Sequence, residues 1–248
     1  MIFLVSDLHL GKEPHTDEQS LSELRACIKS LTPGLTDVVF LGDTFDAYIE
    51  YGGTPPKSVI RWVNFAQQLR AMGIELTFFA GNHDRWHQNY LQSSLKLKVR
   101  RVPEVKNWLG KKIWLEHGDL AAPHSPLIQL VRNITDSRIA LNLYRTVLPF
   151  GLGQRVAAYV SRRFSSFEPD PETVQGLRDY AIKQCNLGKA DIVVMGHCHL
   201  PELVRTGGTG YVNTGDWYRS RSFATLSDSI SLNKWTSAGA EEIAQAIL

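Results

Sequence analysis

Five short apolar runs punctuate this chain, and each ends in side chains that bind metals well. The runs are Ile2–Ser6, Asp37–Leu41, Glu75–Ala80, Lys112–Glu116 and Asp191–Met195. Continuous apolar stretches of this length suit strands covered on both faces. Directly after them stand Asp7-Leu8-His9, Gly42-Asp43, Gly81-Asn82-His83-Asp84, His117-Gly118-Asp119 and Gly196-His197-Cys198-His199. In open α/β sheets, the carboxyl ends of the strands form the edge that carries sites. Five of the eight histidines lie in these motifs, so composition alone does not explain the clustering.

Helical patterns separate the first runs. Leu21, Leu24, Cys27, Ile28 and Leu31 share one face of Ser20–Leu31, and Val59, Trp62, Val63, Ala66 and Leu69 one face of Ser58–Met72, with Gly73 as a C-terminal stop. A βαβα order predicts parallel crossovers. Further on the pattern turns to hairpins, Pro201–Arg205 with Gly210–Asn213 and Ser222–Leu226 with Ser229–Trp235. A mixed sheet, or two sheets packed face to face, accommodates both halves.

Residues 121–167 differ from the rest. They hold six arginines (Arg132, Arg138, Arg145, Arg155, Arg162, Arg163), no lysine and one acid, Asp136. Apolar residues recur at helical spacing: Leu127, Leu130, Val131 and Ile134, then Ile139, Leu143 and Val147, then Val156, Tyr159 and Val160. Two or three inserted helices are expected, broken near Pro149 and Gly151–Gly153. One domain over 1–248 is expected, with the insertion at about 121–190.

The net charge is +2, which offers no general attraction for nucleic acid, and no nucleic-acid partner is expected. Three scattered cysteines (Cys27, Cys185, Cys198) suggest no disulfide framework. No apolar run is long enough to span a bilayer. The opening MIFLVSD enters a strand without a charged leader, so a cytoplasmic location is expected.

Asp7, His9, Asp43, Asn82, His117, His197 and His199 are seven nitrogen and oxygen donors. That is too many for one catalytic ion with an open position and suitable for two ions sharing a carboxylate. Imidazole, carboxylate and amide donors suit manganese, iron or zinc, and the lack of thiolates argues against a structural zinc site. In Asp-x-His and His-x-His the outer residues would face one side of an extended strand end. Each motif alone describes an ordinary turn or cap, and five in order do not.

The set resembles the calcineurin-like metallophosphoesterase family, whose signature runs D-x-H, G-D, G-N-H-[DE], H-G-D and G-H-x-H. The resemblance implies a four-layer α/β/β/α sandwich, here with an inserted helical cap, and a dinuclear phosphoester hydrolase. It implies that Asp7, His9, Asp43 and His199 hold one divalent metal. Asp43 would bridge to a second, completed by Asn82, His117 and His197, with manganese the first choice. His83 would donate a proton to the leaving oxygen or bind the phosphate. Asp84 would either orient His83 or act as an N-terminal acid of a helix at Arg85–Leu91.

Within the family the chain is most similar to the UDP-2,3-diacylglucosamine hydrolases of lipid A biosynthesis. Motif spacing, the helical insertion and the tail Tyr211-Val212-Asn213-Thr214-Gly215-Asp216-Trp217 carry that likeness. It implies cleavage of the substrate pyrophosphate to UMP and 2,3-diacylglucosamine 1-phosphate, with a lipid-nucleotide substrate and peripheral contact with the anionic inner-membrane surface. Arg155, Ser161, Arg162 and His124 are the candidate substrate contacts. The alternative is a soluble phosphodiesterase or nucleotide pyrophosphohydrolase on the same core. Two departures stand out: His83 occupies a position where the best-known branch has Arg, and Asp119 is followed by Leu120-Ala121-Ala122-Pro123. His15 and His87 are expected on surfaces or loops, and Cys198 is expected to point away from the metals.

Overall fold

The computed structural model describes residues 1–248 apart from 33, 54, 124–128, 130–132, 134–136, 165–167 and 248. All five apolar runs form strands: β1 (Ile2–Val5), β2 (Asp37–Leu41), β3 (Glu75–Phe79), β6 (Lys111–Leu115) and β7 (Ile192–Met195). Both expected hairpins are present, β8 (Pro201–Thr206) with β9 (Thr209–Thr214) and β10 (Ser222–Leu226) with β11 (Ser229–Thr236). The short β4 (Val99–Arg100), β5 (Glu104–Trp108) and β12 (Gly239–Ile247) complete two sheets. One runs β12-β11-β10-β1-β2-β3-β4 and the other β5-β6-β7-β9-β8. The pairs β1–β2, β2–β3 and β6–β7 are parallel, so the motif-bearing ends within each sheet lie at one edge.

The alternation of side chains along each strand sorts the core into three apolar layers. Leu4, Val39, Leu41 and Phe79 meet Ile113, Leu115, Ile192 and Val194 between the sheets. On the outer face of the first sheet, Phe3, Val5, Phe40 and Phe78 pack on α1 (Asp17–Ser30) and α2 (Lys57–Ala71) through Leu24, Ile28, Trp62 and Leu69. On the outer face of the second, Val193, Met195 and Tyr211 pack on Leu177, Ala181 and Cys185 of α6 (Pro171–Asn186). The four layers are therefore α/β/β/α. Met72 ends α2, and Gly73 follows with φ +81°, the left-handed stop its sequence position suggests.

Between β6 and β7 the chain divides into parts with different roles. Helix α6 is the fourth core layer. Helices α4 (Arg138–Val147) and α5 (Phe150–Phe164) instead sit on the loops that follow β2 and β3. The break between them falls at Pro149 alone, because Gly151 and Gly153 lie within α5. A side chain at Gly153 would put its Cβ 1.9 Å from Tyr51 Oη, so this close approach accounts for glycine there. The expected Arg85–Leu91 helix is not formed. Helix α3 spans Tyr90–Leu95, and the buried carboxylate of Glu50 accepts the N–H groups of Gln88, Asn89 and Tyr90 at its start.

Candidate active site

The donor-rich segments leave their strands at the common edge and turn inward. They do not continue as extended chain, so the same-side geometry expected of Asp-x-His and His-x-His has another origin. The strands end at Val5 and Met195, and Asp7, His9, Asp43, His197 and His199 all take positive φ, between 46° and 73°. These are five of the eight non-glycine residues with positive φ among the described residues. Such conformations cost on the order of 1 kcal/mol each and persist only where surrounding structure enforces them. Here the loops brace one another: Asp7 N–H donates to Gly42 O (3.1 Å), His9 N–H to Asp43 O (3.0 Å) and Tyr218 N–H to Asp7 O (3.1 Å).

Two donor triads result, Asp7–His9–His199 and Asp43–His117–His197, each with its ligand atoms within 4.8 Å of one another. In the first, His199 Nε2 lies 3.1 Å from Asp7 Oδ1 and 3.4 Å from His9 Nε2. In the second, His117 Nε2 lies 3.3 Å from Asp43 Oδ2 and 3.2 Å from Asn82 Oδ1. All seven expected donors thus gather at one rim. Asp7, His9, Asp43 and His117 are buried. The glycine before Asn82 makes room for this: a Cβ on Gly81 would lie 2.1 Å from Asp43 Oδ1.

Burial alone would push these carboxyls up, yet neighbouring histidines outweigh it. Asp7, against His199, is held well below the ordinary carboxylate range, and Asp43, against His117 and His83, is also lowered. Burial likewise opposes charge on the imidazoles. His9 is nevertheless lifted to about 9 by Asp46 and Asp7, and His117 is raised well above its ordinary value by Asp43. His197, buried and next to charged His117, falls to about 4. Ionised buried carboxylates thus borrow positive charge from histidine protons, and divalent cations supply that charge while displacing those protons. The nitrogen and oxygen donors, their spacing and this demand for positive charge fit divalent metals.

A third group, His9–Asp46–His83, also clusters, but it reads as support for the first two. Asp46 Oδ1 lies 3.4 Å from His9 Nδ1, the ring atom remote from His199, and 3.5 Å from Lys12 Nζ. A lysine in that position disfavours a further cation. A carboxylate behind a ligand histidine fixes its ring, as the Leu41 carbonyl does for His117 Nδ1 at 2.8 Å.

Asp46 is a site residue that the sequence motifs did not single out, although it stands only three positions after Asp43. Asp84 does not pair with His83 and heads no helix. Its buried carboxylate accepts the Gly81 N–H (2.8 Å) and the Phe45 N–H (3.1 Å), tying the β2 and β3 loops together, and burial plus the Asp43 charge raise it to about 7. The partner of the His83 ring is Asp46, whose carbonyl lies 2.6 Å from Nδ1. Asp119 pairs with Arg85 at 2.5 Å.

Of the substrate candidates, Ser161 reaches the site, with Oγ 3.1 Å from both His83 Nδ1 and Asp46 Oδ2. Arg155 and Arg162 stand on the exposed side of α5, and Arg162 Nε donates back to Ala158 O. His124 lies outside the described residues. His15 is exposed as expected. His87 is the opposite of expected: it is buried among Phe45, Tyr48 and Phe78, because the segment after Asp84 folds back onto the core instead of forming a surface helix. Cys198 is buried in the layer beneath α6, facing away from the donors.

The sequence pattern of calcineurin-like phosphoesterases matches residues 1–201. The chain belongs to that family. It is 26% identical over 246 residues to a UDP-2,3-diacylglucosamine hydrolase of Porphyromonas gingivalis, covering 90% of this chain and 92% of that one. A UDP-2,3-diacylglucosamine hydrolase of Stenotrophomonas maltophilia is 26% identical over 234 residues, covering 88% and 91%. Among solved structures, the E. coli phosphoesterase YfcE superposes with a TM-score of 0.51 at 16% identity, covering 99% of this chain and 98% of its own. Zinc-complexed Vps29 of Entamoeba histolytica gives 0.50 at 16%, with the same coverage. These two likenesses concern the fold. The protein is a phosphoesterase of a fold that implies divalent metals.

Proposed function

We propose that this phosphoesterase cleaves the pyrophosphate of UDP-2,3-diacylglucosamine, yielding UMP and 2,3-diacylglucosamine 1-phosphate for lipid A biosynthesis. The observation that carries the choice of substrate is the helix pair α4–α5. It touches the site through Ser161 and turns an apolar stripe outward, with Ile139, Leu143 and Val147 81%, 62% and 64% exposed. Leu152, Tyr159 and Val160 extend that surface. Arg155, Arg162 and Arg163 are exposed on the same pair, which carries no acidic residue. An apolar face flanked by arginines suits a substrate with two acyl chains and a pyrophosphate, and it suits an anionic bilayer surface. The likeness over nine-tenths of the chain to hydrolases of that substrate supports the same reading. Among the described residues no helix is long and apolar enough to cross a membrane. The contact with the bilayer is proposed as peripheral, on the cytoplasmic face of the inner membrane.

Asp7, His9, Asp43 and His199 would hold one metal, and Asp43, Asn82, His117 and His197 the other, with manganese the expected ion. When bound, such a pair supplies a nucleophile at neutral pH and offsets phosphoryl charge. The chain's own groups do the rest. His83, held by its N–H to Asp43 Oδ1 (2.8 Å), is the group placed to meet the phosphate or the leaving oxygen. Asp84 and Asp46 keep the ligand loops in register, and α4–α5 covers one side of the site. Substrate contacts are assigned to Ser161, to Arg155 and Arg162 from the outer face, and to His124, which lies outside the described residues. The helical cap proper would be 138–164, within the insertion at about 121–190 of a single domain spanning 1–248.

The test is turnover of detergent-solubilised UDP-2,3-diacylglucosamine with added Mn²⁺, with UMP and the lipid monophosphate separated by chromatography. Release of both products is expected. Turnover of soluble nucleotide diphosphates alone would instead establish the nucleotide pyrophosphohydrolase reading.

A further inference from the structure

Four hydrogen-bonding atoms from three segments meet at the ring of His83, and their chemistry fixes who donates. The Asp46 carbonyl accepts only, and it lies 2.6 Å from His83 Nδ1, so Nδ1 carries the proton. The Ser161 hydroxyl donates to Asp46 Oδ2 at 3.1 Å. Its lone pair is then turned to the same Nδ1–H, also at 3.1 Å. His83 Nε2 is left facing the metal-ligand side, 3.9 Å from Asp43 Oδ2. Asp46 is buried and Ser161 half-buried, so water competes weakly for these bonds.

Ser161 differs in origin from the others. Asp46 and His83 belong to the loops after β2 and β3, whereas Ser161 belongs to α5. The helix pair rests on those same loops: Arg145 donates to Trp86 O (3.0 Å), Gln154 to Ile49 O, and the Phe150 ring meets Tyr51 at 5.6 Å edge to face. Any displacement of the pair withdraws Ser161 from His83.

We infer that Ser161 is a positioning residue through which the docked α4–α5 pair steadies the His83 ring, whose Nδ1–H the Asp46 carbonyl accepts, with Nε2 turned to the reaction site. This deepens the phosphoesterase reading, and only the rate measurement below rests on it. Ser161 would then act on the hydrolysis of any phosphoester, beyond whatever contact it makes with a lipid.

The full-length chain is compared with Ser161→Ala and Ser161→Thr. In metal-free protein, long-range ¹H–¹⁵N spectra of the His83 ring are expected to show the Nδ1–H tautomer in all three proteins, with one narrow set of ring signals for wild type and S161T and a shifted or broadened set for S161A. With Mn²⁺ added, kcat for bis-p-nitrophenyl phosphate is expected to fall about 5- to 10-fold in S161A with KM within about twofold, the loss of the half-buried hydroxyl's bonds to Asp46 and His83. S161T should retain most of the rate. A small diester has no acyl chains, so a serine that only touched lipid would leave this rate unchanged. A wild-type His83 spectrum in S161A overturns the positioning role. An altered spectrum with unchanged kcat overturns its bearing on the reaction. Should wild type hydrolyse neither this diester nor a nucleotide pyrophosphate, the phosphoesterase reading fails, and the spectrum alone decides the positioning. Ser161→Cys, close in shape and a poor hydrogen-bonding partner, gives the same comparison should the alanine variant unfold.

Discussion

The floor of the site and the helix pair above it are built on opposite terms. The floor is polar yet buried: Asp7, His9, Asp43, Asp46, Asp84 and His117 are closed off from solvent, and the backbones of Asp7, His9 and Asp43 are forced into left-handed turns. The pair α4–α5 is apolar yet exposed, with Ile139, Leu143 and Val147 on its outer face. Each arrangement is unfavourable by itself, since buried charge requires a counter-charge and exposed apolar surface requires a cover. The floor meets its need internally, by histidine protons or by metals. The outer face of the pair has no such partner within the chain's described residues, which directs attention to what the protein binds. The division teaches that the reaction class resides in the floor and the choice of substrate in the pair.

The sharpest way to break this division is to remove the ligand that both metals would share. Asp43→Ala should lower kcat/KM on a small diester by on the order of 10³-fold or more and reduce metal content measured on the purified protein. A loss below tenfold would show that the floor does not carry the chemistry. A subtler variant leaves every donor in place. Gly81→Ala puts a Cβ 2.1 Å from Asp43 Oδ1 and 2.6 Å from its backbone nitrogen, so the loop must shift. Turnover should fall roughly 10²-fold, the usual consequence of displacing a catalytic group by about an ångström. Retained activity would mean that the loops after β2 and β3 are looser than their hydrogen bonds indicate.

Much of the floor was legible in the sequence because its two requirements leave local marks. Strands buried on both faces must be apolar throughout, as Ile2–Val5 and Ile192–Met195 are, and donors brought to one edge must follow them. What was not legible depends on distant contacts. Asp46 lies within reach of His9 and His83 only because the β2 loop curls back, and nothing in Thr44-Phe45-Asp46 announces that. Asp84 looks like a cap and is instead a buried tie between loops. The Ala- and Glu-rich segment Gly239–Ile247 favours helix by composition, yet it forms β12 by pairing with β11, a tertiary preference overriding a local one. The helix pair was legible through its apolar spacing, but spacing cannot say which face is left uncovered.

His87 tests the backing of the floor. Among the described residues neither of its ring nitrogens has a hydrogen-bond partner, and burial, reinforced by the Arg101 charge, lowers its pKa to about 3. The folded protein therefore prefers neutral imidazole, whereas the unfolded chain takes up a proton near 6.5. The contribution of neutral His87 is complete above 6.5 and declines as pH falls from there toward 3. By pH 5 the loss should reach about 2 kcal/mol. Denaturant titrations of wild type and His87→Phe at pH 7 and pH 5 measure it: the phenylalanine variant should lose less stability between the two. Equal losses would mean that water or a rearrangement already satisfies the ring.

The mildest perturbation addresses the helix pair directly. Leu143 is 62% exposed on the outer face of α4, so Leu143→Ser removes little internal packing and should leave the melting temperature within a degree or two. If that face receives acyl chains or a bilayer, the serine forfeits the gain from covering a leucine, and turnover of the lipid nucleotide should fall about tenfold. The rate on bis-p-nitrophenyl phosphate should not change, because the floor is untouched. Equal losses on both substrates would place Leu143 among the supports of the floor, by way of the Arg145 and Ser161 contacts on the same helix pair. No loss on either would leave the apolar stripe without a part in catalysis, and the substrate would then have to be sought among soluble nucleotides.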